Sequence, residues 1–208
     1  MGYASVMTRA SAQLDSRFRR AMLYAIEELG EVSTTKLQKV LYLADLEHFY
    51  ATGTTLTGAR WVRYTHGPMA KALVPSTLTM DRHEIAVSVE TVGPYEARVF
   101  RPGPAPRFHP ALGPEERAAL DAIIALTRDL SATDTIQLAY NTSPMRALLR
   151  REDGGEPMLD VEIPFDLDED TVSASTTPTT LRKTSEEIAA FKREELRRAA
   201  DLVEAAAG

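Results

Sequence analysis

Three side chains in the first third of the chain belong to the types that carry catalysis or hold metal ions. Asp45 and His48 lie three residues apart, the spacing of two ligands on one helical turn, and His66 would be a third ligand. A histidine that acts as a general base also needs a nucleophile nearby, and the sequence identifies none for His66. We therefore interpret Asp45 and His48 as buried, hydrogen-bonded side chains, and His66 as part of a turn with Gly67 and Pro68.

Known catalytic motifs are missing from the sequence. It contains no Gly-rich phosphate-binding loop, no dinucleotide-binding fingerprint, no zinc-protease motif and no nucleophile elbow. Cysteine is absent as well, which excludes disulfides, thiolate metal sites and cysteine nucleophiles. The residues thus show no assembled active site, and no cofactor is expected. An enzyme built on Asp45, His48 and His66 is kept as a less favoured alternative.

The negative charge of the chain is concentrated in one segment. The 208 residues carry a net charge of −6, with 44% hydrophobic and 26% charged residues, as is usual for a globular protein. Nine acids and no base lie between Glu152 and Asp170, and the rest of the chain has 21 acids and 24 bases. Nucleic-acid binding is therefore not favoured, and a DNA-binding autoregulator is the least favoured alternative. The acidic segment is typical either of a solvated loop or of a docking segment for a basic partner.

Hydrophobic periodicity predicts that most of the chain is helical. The predicted helices cover residues 11–30, 34–51, 69–80, 114–130, 131–140, 143–151 and 185–207. The second of them is apolar on most of its circumference, so we expect it to be buried at the centre of the fold. Alternating residues predict strands at 60–64, 85–91 and 95–101, of which the last two form a β-hairpin. The predicted fold is mainly α-helical and of the α+β class: a buried central helix surrounded by helices, with a small sheet of two or three strands.

Composition divides the chain into three parts. Residues 11–151 are expected to form the globular domain, residues 152–180 an acidic segment and a Ser/Thr-rich linker, and residues 181–208 an amphipathic helix. That helix packs either on its own domain or on another chain, and its balanced charge does not favour a membrane surface. We recognise neither a signal peptide nor an apolar stretch long enough to span a membrane, so a cytoplasmic protein is expected.

The start of the central helix carries two lysines, Lys36 and Lys39, where the helix dipole is positive. We expect either a salt bridge to an acid elsewhere in the fold or a contact with an acidic partner. Thr35 and Gln38 have the spacing of a capping box at this helix start. Trp61, the only tryptophan, is expected in the core rather than at an interface.

The same helix start carries the most specific pattern in the chain. Gly53 and the run Tyr64-Thr65-His66-Gly67-Pro68 follow the segment Thr35-Lys36-Leu37-Gln38-Lys39-Val40-Leu41-Tyr42-Leu43-Ala44-Asp45. This combination resembles the SocA-type antitoxin domain, also called Panacea. The family signature is carried by Lys36, Leu37, Gln38, Lys39, Tyr42, Asp45, His66, Gly67 and Pro68. A weaker resemblance extends over residues 114–151, where Ala139-Tyr140 and Pro144-Met145 replace the Ser-His pair and the Trp-bearing segment that the family often has.

The resemblance implies a non-enzymatic antitoxin that neutralises a cognate toxin by direct protein contact. The alternative it implies is a proteolytic adaptor that delivers the toxin to an ATP-dependent protease. The segment from Asp160 to Gly208 is expected to add the contacts that select the partner, because an acidic segment can mask a basic face of a toxin. The terminal helix is also compatible with a homodimer. The residues expected at the partner interface are Asp166, Asp168, Glu169, Asp170, Ile188, Phe191 and Leu202.

Overall fold

A computed structural model of the protein describes residues 3–73, 84–92, 95–104 and 112–166. In these ranges the chain forms five helices and five strands. The helices are α1 (Tyr3–Leu29), α2 (Thr34–Thr52), α3 (Pro114–Thr127), α4 (Ala132–Tyr140) and α5 (Ser143–Asp153). The strands are β1 (Val32–Ser33), β2 (Trp61–Tyr64), β3 (Gly67–Ala70), β4 (Ile85–Val92) and β5 (Tyr95–Pro102). The α+β class predicted from the sequence is confirmed.

The strands form two small antiparallel sheets. One has the order β1-β5-β4, and its β4–β5 hairpin pairs Ile85 with Pro102 and Val92 with Tyr95 at its two ends, as the alternating pattern predicts. The other contains β2 and β3, which pair Trp61 with Ala70. The predicted helix over 69–80 is wrong at its start, because the backbone at 69–70 is paired with β2 instead. Residues 74–80 of that prediction lie outside the described residues.

Local capping explains where α1 and α2 meet. Gly30 adopts a left-handed φ of +73°, and its N–H donates to the carbonyl of Ile26 at 2.9 Å, which ends α1. Ser33 is the N-cap of α2, and its hydroxyl accepts from the N–H of Lys36 at 3.3 Å. The cap is therefore Ser33 rather than Thr35. Helix α1 also begins earlier than periodicity predicts, at Tyr3.

Helix α2 is the buried centre of the fold, as predicted. It packs against α1, α3, α4, β1, β3 and β5. Its apolar side chains are buried around the whole circumference, including Leu37, Val40, Leu41 and Tyr42, all 0% exposed. A helix apolar on all sides gains most by being surrounded, which accounts for its position. It also buries four polar side chains: Gln38, Lys39, Asp45 and His48.

The chain returns to this core after α5. Met158, Ile163 and Phe165 are buried and belong to the same apolar cluster as α2. Between them, Glu162 bridges to Val62 on the open edge of β2. The predicted linker at 173–180 and the predicted terminal helix lie outside the described residues. Among the helices that the structure describes, none combines the length and apolar character that a membrane span requires.

Candidate functional site

Asp45 is the centre of a buried hydrogen-bond network. Its carboxylate accepts from the backbone N–H of Thr57 at 2.6 Å, from the Thr57 hydroxyl, and from the indole N–H of Trp61 at 2.7 Å. The side chain is 0% exposed, and burial raises the pKa of Asp45. The network fixes the 53–59 loop and β2 against the middle of α2. Both carboxylate oxygens of Asp45 accept hydrogen bonds from other groups of the fold, so Asp45 has a structural role here.

His48 is used in the same way one turn further along α2. Its Nδ1 lies 2.6 Å from the carbonyl of Thr54 and 3.1 Å from the hydroxyl of Thr52. Asp45 and His48 thus bind different residues of the same loop. His66 is part of neither set of hydrogen bonds and lies on an exposed turn. Within the described ranges, no group of three His, Cys, Asp or Glu side chains is arranged to hold a metal ion.

An aromatic cluster surrounds this network. The ring of Tyr42 makes edge-to-face contacts with Trp61 and Phe165, at centroid distances of 5.5 and 5.6 Å. The Tyr42 hydroxyl and the hydroxyl of Thr142 hydrogen-bond at 2.9 Å, which ties α2 to the start of α5. Trp61 is 2% exposed, so its predicted core position is confirmed. These contacts place the residues after α5 directly over α2.

The side chains of Gln38 and Lys39 cover the edge of β3 that faces α2. The Gln38 Oε1 accepts from the N–H of Ala70 at 3.0 Å, and the Lys39 ammonium donates to the carbonyl of Pro68 at 2.9 Å. Pro68 itself has no N–H to offer to a further strand. An edge strand normally exposes its peptide groups to pairing with another chain. Here α2 satisfies them, so this sheet is closed on the α2 side.

Lys39 is unusual for a lysine because its side chain is buried. It is 3% exposed, and burial lowers its pKa from 10.5 to about 8. Gly67 lies beside it with φ +87°, and a Cβ there would be 3.5 Å from Cε of Lys39 and from the Tyr140 ring. A glycine is favoured because only this residue adopts that φ freely. The β2–β3 turn therefore packs at Gly67 against the side chains of Lys39 and Tyr140.

Lys36, one turn before Lys39 at the start of α2, has a different kind of partner. Its ammonium donates to the carbonyls of Arg128 and Leu130 at 2.9 and 2.8 Å, just past the C-terminal end of α3. A cation at this end of a helix meets the negative end of its dipole. The sequence offered a carboxylate or an acidic partner as the contact of Lys36, whereas the structure gives it backbone carbonyls.

Arg63 connects the β2–β3 turn to α4 and α5. Its guanidinium lies 5.5 Å from the centroid of the Tyr140 ring and forms a salt bridge with Glu152 at 3.0 Å. It also donates to the carbonyl of Tyr64. The hydroxyl of Tyr140 donates to the carbonyl of Thr65 at 3.2 Å. Tyr140 of α4 and, through Arg63, Glu152 of α5 thus fix the position of the turn.

The second edge of β2 is paired with the segment after α5. The N–H of Arg63 donates to the carbonyl of Val161, and the N–H of Asp160 donates to the carbonyl of Arg63, both at 2.8 Å. Two residues, 160 and 161, therefore oppose one residue of β2, which is the pattern of a β-bulge. Asp160 has φ +64°, the only positive φ of a non-glycine residue among those described. Asp is among the few residues that tolerate this conformation.

Only the end of the β2–β3 hairpin is presented to solvent. We call Tyr64, Thr65 and His66 the hairpin tip; all three are exposed, Tyr64 by 43%. Of the signature residues predicted from the sequence, His66 is the only exposed one. The structure brings Gln38, Lys39, Gly67 and Pro68 together under the tip. It places the remaining four, Lys36, Leu37, Tyr42 and Asp45, along α2.

A family model described as antitoxin SocA-like, Panacea domain, matches residues 37–144, just over half of the chain. The chain belongs to this family. No curated protein and no solved structure gives a significant match. The resemblance predicted from the sequence is therefore confirmed. The matched range of this Panacea domain contains α2 from Leu37 onward, the strands β2 to β5, α3 and α4.

Most of the residues expected at a partner interface lie outside the part of the chain that the structure describes. Asp166 is exposed, beside an open groove of about 510 Å³ that Trp61, Leu148 and Arg151 help to line. The others, Asp168, Glu169, Asp170, Ile188, Phe191 and Leu202, lie outside the described residues. Four acids nearer the domain pair with bases of the fold: Glu152 with Arg63, Glu156 with Arg151, Asp160 with Lys71 and Glu162 with Arg60.

Sequence reasoning did not identify Thr57, Arg63, Tyr140, Thr142 or Glu152 as part of this arrangement. A buried indole N–H needs an acceptor, so Trp61 was a signal for Asp45. The proline in β3 was a signal for an edge strand. The pairing of Arg63 with Glu152, 89 residues away, had no signal in the sequence.

Proposed function

We propose that this protein is the antitoxin of a toxin–antitoxin pair and that it neutralises its cognate toxin by direct binding. The observation that carries the proposal is the match of residues 37–144 to the SocA-like Panacea antitoxin family. The geometry supports a binding role, because the side chains whose types could carry catalysis form hydrogen bonds inside the fold. Asp45 accepts three hydrogen bonds, and the Lys39 ammonium binds a backbone carbonyl.

The acidic residues after the core are proposed to contribute to recognition. Asp166, Asp168, Glu169 and Asp170 come after the buried Phe165 in the sequence and would attract a basic face of the toxin. Ile188, Phe191 and Leu202 would supply apolar contacts from the terminal segment. Exchange of the four acids for serine should slow association at low salt, because steering by opposite charge acts mainly on the association rate. An unchanged association rate at low salt would contradict this electrostatic role.

A growth assay tests the proposed function. The neighbouring reading frame of the native operon is expressed alone and together with this protein, and we expect growth arrest that co-expression relieves. A truncation that asks whether the terminal segment is needed should begin at residue 167. A cut before residue 163 would remove Ile163 and Phe165 from the core, and we expect it to destabilise the domain. A neighbouring protein that is harmless, or whose toxicity persists on co-expression, would contradict the antitoxin assignment.

A second measurement separates direct neutralisation from proteolytic delivery, since both would relieve growth arrest. Direct binding predicts that the toxin accumulates in a stable complex with this protein. Delivery to an ATP-dependent protease predicts that the half-life of the toxin falls when this protein is present. A pulse-chase measurement of the toxin therefore decides between the two mechanisms.

A further inference from the structure

We propose that the hairpin tip, Tyr64, Thr65 and His66, is the anchor through which this protein contacts its cognate toxin. This inference rests on the proposed function and assigns it a surface. Tyr64 and His66 are exposed, and neither side chain forms a hydrogen bond, ion pair or ring contact with another described residue. Their polar atoms are thus available to another molecule.

The backbone of the tip is fixed to an unusual degree for an exposed turn. The carbonyl of Tyr64 accepts from Arg63, and that of Thr65 accepts from Tyr140 at 3.2 Å; just beyond the tip, the carbonyl of Pro68 in β3 accepts from Lys39 at 2.9 Å. A turn that is already held in one conformation loses little conformational entropy when a partner binds. The tip is therefore preorganised for binding rather than left to adapt.

Three buried polar side chains support this one short hairpin. Gln38, Lys39 and Arg63 are each at most 9% exposed, and all three bind its backbone. Burial of charged groups adds little net stability, because their desolvation offsets the attraction that they gain. Apolar side chains in their place would leave the N–H of Ala70 and the carbonyl of Pro68 without partners. The arrangement is best explained by a need to hold the tip in a defined position.

The chemistry of the tip matches the centre of a protein interface. Tyrosine is enriched among residues that dominate binding energy, and interface centres are poor in charge. Charges flank the tip as internal pairs: Arg63 with Glu152, and the exposed Lys71 with Asp160 at 3.1 Å. The tip thus offers an aromatic centre, and the charges near it are already paired within the fold. The surface it fits on the toxin is an apolar recess with a carbonyl or carboxylate that accepts from the Tyr64 hydroxyl or the His66 ring.

A second copy of this chain is the less favoured occupant. A two-fold dimer would place the same surface of both copies face to face, and two protruding turns are poorly complementary to each other. A recess on the toxin would be complementary in shape to the protruding tip, whereas a second tip would not.

The test uses the full-length chain and, as probe, the purified product of the neighbouring reading frame. The double variant Tyr64→Ala/His66→Ala should bind at least about 30-fold more weakly than the wild type and should fail to relieve growth arrest. The matched control is Tyr50→Ala, which removes another exposed tyrosine, 50% exposed at the end of α2. It should bind within about two-fold of the wild type. Unchanged thermal unfolding of both variants shows that the fold is intact.

The outcomes are distinguishable. If the wild type neutralises the toxin and the double variant binds within about two-fold of it, the tip proposal is overturned and the antitoxin function stands. A greater loss from Tyr50→Ala than from the double variant overturns it as well. If the double variant instead converts a wild-type dimer into a monomer without loss of toxin binding, the tip is a contact between copies, and the proposal is also overturned. A wild type that neither binds nor neutralises the probe overturns both proposals.

Discussion

Replacement of Lys39 by methionine should abolish the gain in folding stability that we expect this lysine to contribute as the pH rises from about 8 to about 10.5. The ammonium is 3% exposed and donates to the carbonyl of Pro68 at 2.9 Å. Burial lowers its pKa from 10.5 to about 8 because the charged form is poorly solvated there. Methionine fills a similar volume but does not titrate.

The sign of the effect follows from proton binding. Between about pH 8 and pH 10.5 the unfolded chain keeps the proton on Lys39 and the folded chain has released it. Stability rises with pH wherever the unfolded state binds more protons. Each pKa unit corresponds to about 1.4 kcal/mol, so the wild type should gain up to about 3 kcal/mol relative to the variant across this window. Below about pH 8 both states are protonated, and the difference between the two proteins should be constant.

Urea denaturation followed by the fluorescence of Trp61, the only tryptophan, measures this difference. Other tyrosines and lysines titrate in both proteins, so their contributions cancel in the comparison. The control is Lys71→Met, which removes a lysine whose side chain is 64% exposed and which should leave the pH dependence as in the wild type. Parallel curves for the wild type and Lys39→Met from about pH 8 to pH 10.5 would refute the buried state of this lysine.

Substitutions at three further positions test other parts of the structure. Asp45→Ala should destabilise the fold by about 3 kcal/mol or more, since it leaves the Thr57 and Trp61 donors unpaired, and the Trp61 emission should shift to longer wavelength. In urea denaturation, the free energy of unfolding of Asp160→Gly should be within about 1 kcal/mol of the wild-type value or higher. Asp160→Val should lose about 1–2 kcal/mol of that free energy, because a β-branched residue is strained at φ +64°. Glu47→Gln should stabilise the protein by up to about 1 kcal/mol at about pH 7. The reason is that Oε2 of Glu47 is buried with no hydrogen-bond partner among the described residues, and burial raises its pKa. The raised pKa means that the folded state binds the proton more tightly, so this gain should shrink when unfolding is measured at about pH 4. A gain that grows in acid would contradict the assignment.

Local patterns were sufficient for the elements whose residues decide their own structure. The alternation in 85–91 and 95–101 predicted the β4–β5 hairpin, and the apolar circumference of 34–51 predicted the buried central helix. Residues 69–70 were predicted as helix because the pattern there is ambiguous over a few residues. Their strand conformation depends on Trp61 and on Gln38, which are distant in the sequence. Tertiary pairing outweighed local propensity at this point.

The candidate site was only partly visible in the sequence for a related reason. The spacing from Lys36 to Asp45, with His66-Gly67-Pro68 beyond it, is local and identified the family. The function of each residue depends on partners that no spacing gives. Lys39 binds a strand carbonyl 29 residues away, and Arg63 binds Glu152 across 89 residues. Such contacts are set by the packing of α2, α4 and α5, and they become apparent only once the fold is known.

The most direct test of the central claim is a titration in a purified system that contains no protease. The toxin is mixed with increasing amounts of this full-length protein, and the toxin's own activity and the mass of the complex are measured together. Direct neutralisation predicts that activity is lost at a fixed molar ratio, with both chains intact in one complex. A toxin that stays fully active at excess of this protein, or that is inhibited only when an ATP-dependent protease is added, would contradict it.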